Sequence, residues 1–128
     1  MQSAVQRRII NLPTLCRQCK RLTDDNLRPT NGCEHAKLAI LFSGGIDSTV
    51  LAVLVDRILP KNEPVDLLNV AFFSNVSAPP ADRQTGLQAL TELNSNRQWN
   101  FVKVNKQKKA AVEVCFFFSF EIHRLILV

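Results

Sequence analysis

A chain of 128 residues with 46% hydrophobic and 21% charged side chains is one domain by length and ordinary in composition, which excludes disordered and collagen-like classes and gives no support to a membrane class. Its formal charge of +5 divides into +4 over residues 1–37, −1 over 38–105 and +2 over 106–128. The middle is near neutral, so the basicity reads as solvated flanks and not as a nucleic-acid groove.

The first residues, MQSAVQRRIINLP, have neither the continuous apolar core nor the small-residue cleavage site of a signal peptide, and no segment has the length of a transmembrane span. A cytoplasmic protein without membrane contact is expected. In that reducing compartment Cys16, Cys19, Cys33 and Cys115 read as thiols or metal ligands and not as disulfides. Cys16, Cys19, Cys33 and His35 are spaced C-x2-C-x13-C-x-H, a four-ligand set for zinc on an N-terminal loop, with unliganded thiols as the alternative. Residues 1–35 are read as a basic, cysteine-containing arm.

Residues 38–42, LAILF, form an apolar run without polar alternation, as a strand buried on both faces of a parallel sheet would. After a glycine pair, DSTVLAVLVDRILP places Val50, Leu51, Leu54, Val55, Ile58 and Leu59 at helical spacings, and Pro60 stops the helix. VDLLNVAFF, residues 65–73, is a second buried strand. SAPPA is a loop, and DRQTGLQALTELNS offers Leu87, Leu90 and Leu93 to a second helix. WNFVKVN alternates as a third strand nearer an edge. The order β-α-β-α-β predicts an α/β fold, a partial doubly wound parallel sheet of Rossmann-like type.

After Asn105 the character changes. The apolar segment Val114 to Phe120 is too short to span a bilayer and has high β-propensity and low charge. Residues 106–128 are read as an atypical tail ending a truncated or alternatively spliced chain, with Cys115 as a buried thiol and His123 without a role.

In a doubly wound sheet, ligands bind beyond the carboxyl ends of the strands, where Gly44 and Gly45 fall. Residues without Cβ let a ligand approach the main chain, and the following helix N-terminus offers N–H groups to an anion. Ser43 and Ser48 add hydroxyls. A bare turn with Asp47 or Ser48 capping the helix is the competing reading. Two serines and an aspartate exceed what a cap needs, while the loops G-x-x-x-x-G-K-[ST] and G-x-G-x-x-G are absent.

SGGIDS after a hydrophobic strand resembles the pyrophosphate loop of the ATP-pyrophosphatase (PP-loop) superfamily. LFSGGIDSTVLAVLVDR, with PVDLLNVAFF and DRQTGLQALTELNSNRQWNFVKVN, is similar to the synthetase domain of asparagine synthetases, and to the asparagine synthetase domain-containing family of animals, over residues 36–105. The resemblance implies that Phe42, Ser43, Gly44, Gly45, Ile46, Asp47, Ser48 and Phe72 bind ATP, with Phe42 and Phe72 also readable as ordinary core aromatics, and that Asp47 helps hold Mg²⁺. It implies ATP-dependent amidation of aspartate to asparagine by ammonia through an acyl-adenylate.

The resemblance is incomplete in two places. Gln2 stands where the glutamine-hydrolysing half of such synthetases carries a nucleophilic cysteine after the initiator methionine, so no ammonia production is expected. Further strands and a second acidic, glycine-rich loop are expected after the third strand and do not follow Asn105. In an order 3-2-1-4-5 that loss bares an edge of the first strand and opens one wall of the crevice, so weak ATP binding, no turnover and room for a partner chain are expected. Gly45→Asp is expected to block the loop sterically. A tRNA-modifying ATP-pyrophosphatase with a zinc-binding cysteine cluster and a non-catalytic interaction module are the rival readings.

Overall fold

The structure is a computed structural model that describes residues 2–13, 15, 16, 19, 35–73, 80–93, 96–107 and 125–127. The expectations for Cys33, Cys115, His123 and the segment Val114–Phe120 lie outside the described residues. Along the chain run α1 (Gln2–Ile9), β1 (Leu38–Leu41), α2 (Ile46–Ile58), β2 (Val65–Phe73), α3 (Ala81–Glu92), β3 (Trp99–Gln107) and β4 (Leu125–Leu127). The strands form one sheet in the order β3-β2-β1-β4, with every pairing parallel. This is the α/β architecture that the apolar runs and the intervening helices predict.

The burial of β1 explains its composition. Leu38, Ala39 and Ile40 are all buried, and parallel neighbours pair with both backbone edges. One face of the sheet gathers Leu38, Ile40 and Phe42 with Val65 and Leu67 of β2, Trp99 and Phe101 of β3, and the apolar sides of α1, α2 and α3. The other face carries Ala39, Leu41, Leu68, Val70, Val102 and Val104. At about 1.5–3 kcal/mol for each fully buried Leu, Ile or Phe against about 1 kcal/mol for a hydrogen bond, Leu38, Ile40 and Phe42 hold β1 more firmly than any one polar contact at its ends.

Two expectations need correction. The edge of β1 is not bare: Leu125–Leu127, from the tail, pairs with it in the register Leu38↔Leu125, Ala39↔Ile126 and Ile40↔Leu127. An unpaired row of N–H and C=O groups beside an apolar strand attracts any strand-forming segment, and here the chain supplies its own. The bare-edge argument for a partner chain therefore lapses. The N-terminal arm is also more than an arm. Val5 and Ile9, four residues apart on α1, are buried in the main core, and Leu12 packs against it, so that α1 lies on α2.

Most of the helix positions read from the sequence do face the core: Val55 and Leu59 lie in it, and Leu51, Leu54, Ile58, Leu90 and Leu93 pack against it. Val50 and Val53 of α2 and Leu87 of α3 are exposed, whereas α3 buries Arg83, Gly86 and Ala89. The cause is the closeness of α3 to the sheet. A Cβ on Gly86 would lie 2.6 Å from Asn69 Nδ2 and 3.2 Å from Phe101 Cζ. No helix among the described residues is long and apolar enough to cross a membrane.

Two buried polar side chains fix the helices. Asn69, in the middle of β2 and fully buried, donates from Nδ2 to the carbonyl of Phe42 (2.8 Å) and to that of Asp82 (3.1 Å), joining the end of β1 to the first turn of α3. Arg97 closes the other end of the layer. Its guanidinium donates to the carbonyls of Leu59 (2.6 Å), Pro60 (2.9 Å) and Glu63 (2.6 Å) and to Asp56 Oδ1 (2.9 Å), satisfying the carbonyls at and beyond the C-terminus of α2. Burial pushes the Asp56 carboxyl up, but hydrogen bonds and charge from Lys61 and Arg97 outweigh it and hold the group below its ordinary value of 3.8.

Because the Asp56 pKa is depressed on folding, its contribution is present above the unfolded value and lost as pH falls through the folded one. Thermal melts should therefore show Asp56→Asn less stable than the parent at pH 7, with the gap closing as pH drops below 3.8; a gap independent of pH would refute the assignment. Asn69→Asp sets a carboxylate against two carbonyls and should cost at least about 3 kcal/mol in denaturant unfolding, more than Asn69→Ala.

Candidate functional site

The chain leaves β1 at Phe42, whose ring is fully buried edge-on to Phe101 with 6.5 Å between centroids. Its N–H donates to the Leu68 carbonyl (2.8 Å) and its own carbonyl accepts from Asn69. Phe42 thus anchors the loop from within the core. Ser43, Gly44 and Gly45 then turn the chain into α2, which starts at Ile46.

The two glycines do different work. Gly44 has φ +84°, in the left-handed region that residues with a Cβ rarely occupy. A Cβ there would overlap the Thr85 carbonyl and sit 2.6 Å from the Gly86 nitrogen, so the loop lies directly on the backbone of α3. Gly45 is ordinary extended backbone (φ −70°, ψ 167°), and a Cβ on it would meet only Ser43 Oγ, at 3.3 Å. The expected steric block from Gly45→Asp is therefore not supported; the crowded position is Gly44.

No side chain caps the N-terminus of α2. The hydroxyls of the loop turn elsewhere: Ser43 Oγ accepts from the Gly45 N–H (3.2 Å), and Ser48 Oγ and Thr49 Oγ1 both donate to the Gly45 carbonyl (3.0 and 2.9 Å). Ser43 Oγ and Ser48 Oγ lie 3.4 Å apart. The cap reading, with Asp47 or Ser48 as the capping residue, is thus overturned. The first hydrogen bond of the helix runs from Thr49 to the Gly45 carbonyl, so the amides of Ile46, Asp47 and Ser48 have no acceptor within the helix. They sit at the positive end of a 13-residue helix beside exposed Ser43, Gly45 and Asp47 and an Ile46 that is 81% exposed. Such an arrangement can hold an anion.

The neighbouring strand reaches further than β1. β2 continues for five residues past its last partner on β1, Leu68↔Leu41, and Phe72 belongs to that overhang, its backbone in register with Lys106 of β3. Sequence reasoning missed Arg83. From the first turn of α3 it donates to the Asn69 carbonyl (3.0 Å), the Val104 carbonyl (3.2 Å) and Asn105 Oδ1 (2.6 Å). Burial pushes its pKa down from the ordinary value, yet a guanidinium stays charged at neutral pH. A cation is therefore held between the middle of β2 and the carboxyl-terminal half of β3. Asn69, which interrupts the apolar run of β2, was the available signal, with Asn105 near the end of the alternating β3.

Cys16, Cys19 and His35 form a separate cluster, with their ligand atoms within 4.8 Å of one another. It lies at the amino-terminal entry to β1, opposite the glycine loop. A groove of about 350 Å³ between the N-terminal segment and the end of α2, lined by Ile9, Ile10, Lys37, Ile58 and Glu63 among others, is at that end as well.

No family model matches the chain. It is 41% identical over 115 residues to the asparagine synthetase domain-containing protein CG17486 of Drosophila melanogaster, a match covering 82% of this chain and 20% of that protein. Asparagine synthetase domain-containing protein 1 of Bos taurus is 34% identical over 151 residues, covering 82% and 22%. The Homo sapiens protein of that name is 46% identical over 78 residues, covering 60% and 11%. Among solved structures, an NH3-dependent NAD synthetase from Campylobacter jejuni in complex with the nitrate ion superposes with a TM-score of 0.35 at 18% identity, over 94% of this chain and 42% of that one, a likeness too loose to bear on the site. The chain spans about a fifth of the length of these curated asparagine synthetase domain-containing relatives and is homologous to them over most of its own length.

Proposed function

We propose that residues 42–48 bind the pyrophosphate of ATP together with Mg²⁺, and that the chain is the nucleotide-binding part of a longer synthetase that amidates aspartate. The observation that carries this is the uncapped N-terminus of α2. The loop holds two serines, a threonine and an aspartate within reach of three orphan amides, and spends none of them on those amides. A helix start that declines its own caps is suited to an external anion.

Each residue then has a part. The amides of Ile46, Asp47 and Ser48 would meet phosphate oxygens; Ser43 and Ser48 would add hydroxyl donors. Asp47 would share Mg²⁺, a hard cation that takes carboxylate and phosphate oxygens together. Gly44 fixes the loop against α3, Phe42 roots it in the core, and the overhang bearing Phe72 flanks the nucleoside side. ATP supplies the driving force for activating a carboxylate; the protein's share is to position the phosphates and offset their charge.

The two glycines provide the test. Gly45→Asp places a good N-cap on unstrained backbone, so the melting temperature should hold or rise slightly, while its carboxylate takes the amides and repels a polyanion. Calorimetric titration should show Mg·ATP binding to the parent chain and at least about tenfold weaker binding to Gly45→Asp, equivalent to about 1.4 kcal/mol. Gly44→Ala should instead unfold more easily, by about 2–4 kcal/mol from left-handed strain and backbone overlap. Equal binding by the parent and Gly45→Asp, or no binding by a folded parent, would overturn the proposal.

A further inference from the structure

We propose that Cys16, Cys19 and His35 form a zinc site that clips the N-terminal segment to the entry of β1. This site is independent of the ATP reading, being at the other end of the strand.

Two sulfur–nitrogen distances match the edges of a zinc coordination tetrahedron. His35 Nδ1 lies 3.7 Å from Cys16 Sγ and 3.4 Å from Cys19 Sγ. Zinc–sulfur bonds of about 2.3 Å and zinc–nitrogen bonds of about 2.0–2.1 Å at tetrahedral angles set a sulfur–nitrogen edge of about 3.6 Å. Both observed edges fall within about 0.2 Å of it. A single ring N–H can aim at one sulfur; one nitrogen facing two sulfurs at similar range is better served by a cation between them. The two cysteines are not bridged to each other.

The two sulfurs lie where a bound metal would be shielded from water. Cys16 and Cys19 are both buried, and the Cys19 backbone N–H points at Cys16 Sγ at 3.4 Å, a donor that stabilises a charged sulfur. Buried thiolates are costly without a cation beside them. Zinc would supply it, displacing one proton from each thiol, while His35 at the surface binds as neutral imidazole. The fourth position is filled from outside these three groups, by a further side chain or by water.

The placement gives the site a structural task. α1 is docked by Val5 and Ile9, with Leu12 packed against the same core, and His35 stands two residues before Lys37, which pairs with Glu63 at 2.8 Å. Cys19 and His35 are 16 positions apart. A metal that joins them only in the folded state adds its binding free energy to folding.

Metal analysis of the full chain purified without chelator tests this. About one zinc per chain is expected, falling below about 0.1 in Cys16→Ser/Cys19→Ser and unchanged in Cys115→Ser. Because the double variant could misfold, the parent is also studied directly. Co²⁺ added to the metal-free chain should give thiolate charge-transfer absorption and intense tetrahedral d–d bands. Chelation should lower the melting temperature by about 5 °C or more and open Cys16 and Cys19 to alkylation. A parent chain that neither carries zinc nor takes up Zn²⁺ or Co²⁺ on titration would overturn the site. So would full zinc content in the double variant, or a Cys16–Cys19 disulfide in the reduced preparation.

Discussion

The loop between β1 and α2 can occupy its place only because Gly44 lies backbone to backbone on α3. Its φ of +84° and the absence of a Cβ let it touch the Thr85 carbonyl and the Gly86 nitrogen. Gly86 carries the same constraint inward, since Asn69 and Phe101 occupy the space a side chain would need. Two glycines on different elements therefore set how near α3 comes to the sheet and to the loop. Asn69 locks the result, with one amide group bonded to the end of β1 and to the start of α3. Loosening any one of these contacts would shift the loop as well as the helix.

The two ends of α2 are treated differently, and the difference has chemical meaning. At its C-terminus the carbonyls of the cap residue Leu59 and of Pro60 accept from a buried guanidinium that also pairs with Asp56. At its N-terminus no side chain serves the amides, although suitable ones surround them. A helix with unfavourable free ends at both termini would suggest loose packing. One end closed by an internal cation and the other left open suggests that the open end answers to something outside the chain. Arg83 is a second buried cation, bonded to the Asn69 carbonyl and to Asn105 Oδ1 on the sheet.

Much of this was legible in the sequence because β1 and β2 are apolar on both faces, a pattern few structures other than a buried parallel strand require. The glycine pair, Pro60 and the helical spacing of α2 placed the loop and its helix closely. What failed shares a cause: long-range contact outweighs local pattern. Leu87 completes a helical leucine stripe yet is exposed, because Gly86 and Ala89 are the residues thin enough to face the sheet. Val5, Ile9 and Leu12 do follow the i, i+4, i+7 rule, but the arginines beside Val5 and Ile9 disguised them as a solvated arm. The roles of Gly44 and Gly45 could not be separated from sequence, since only the position of α3 tells which one is crowded. The pairing of Leu125–Leu127 with β1 is equally non-local.

Both candidate sites depend on β1, the loop following its last residue and His35 standing just before its first. Leu38, Ile40 and Phe42 face one core and Ala39 and Leu41 the other, so a slip of one residue would exchange the two faces along the whole strand. Pairing on both sides, with β2 and with β4, resists that slip. The same register that aims the Phe42 carbonyl at Asn69 also sets where Ala36 enters the core and hence where His35 emerges at the surface. The two sites are thus remote in chemistry but share one mechanical reference, a short strand whose side chains permit a single alignment.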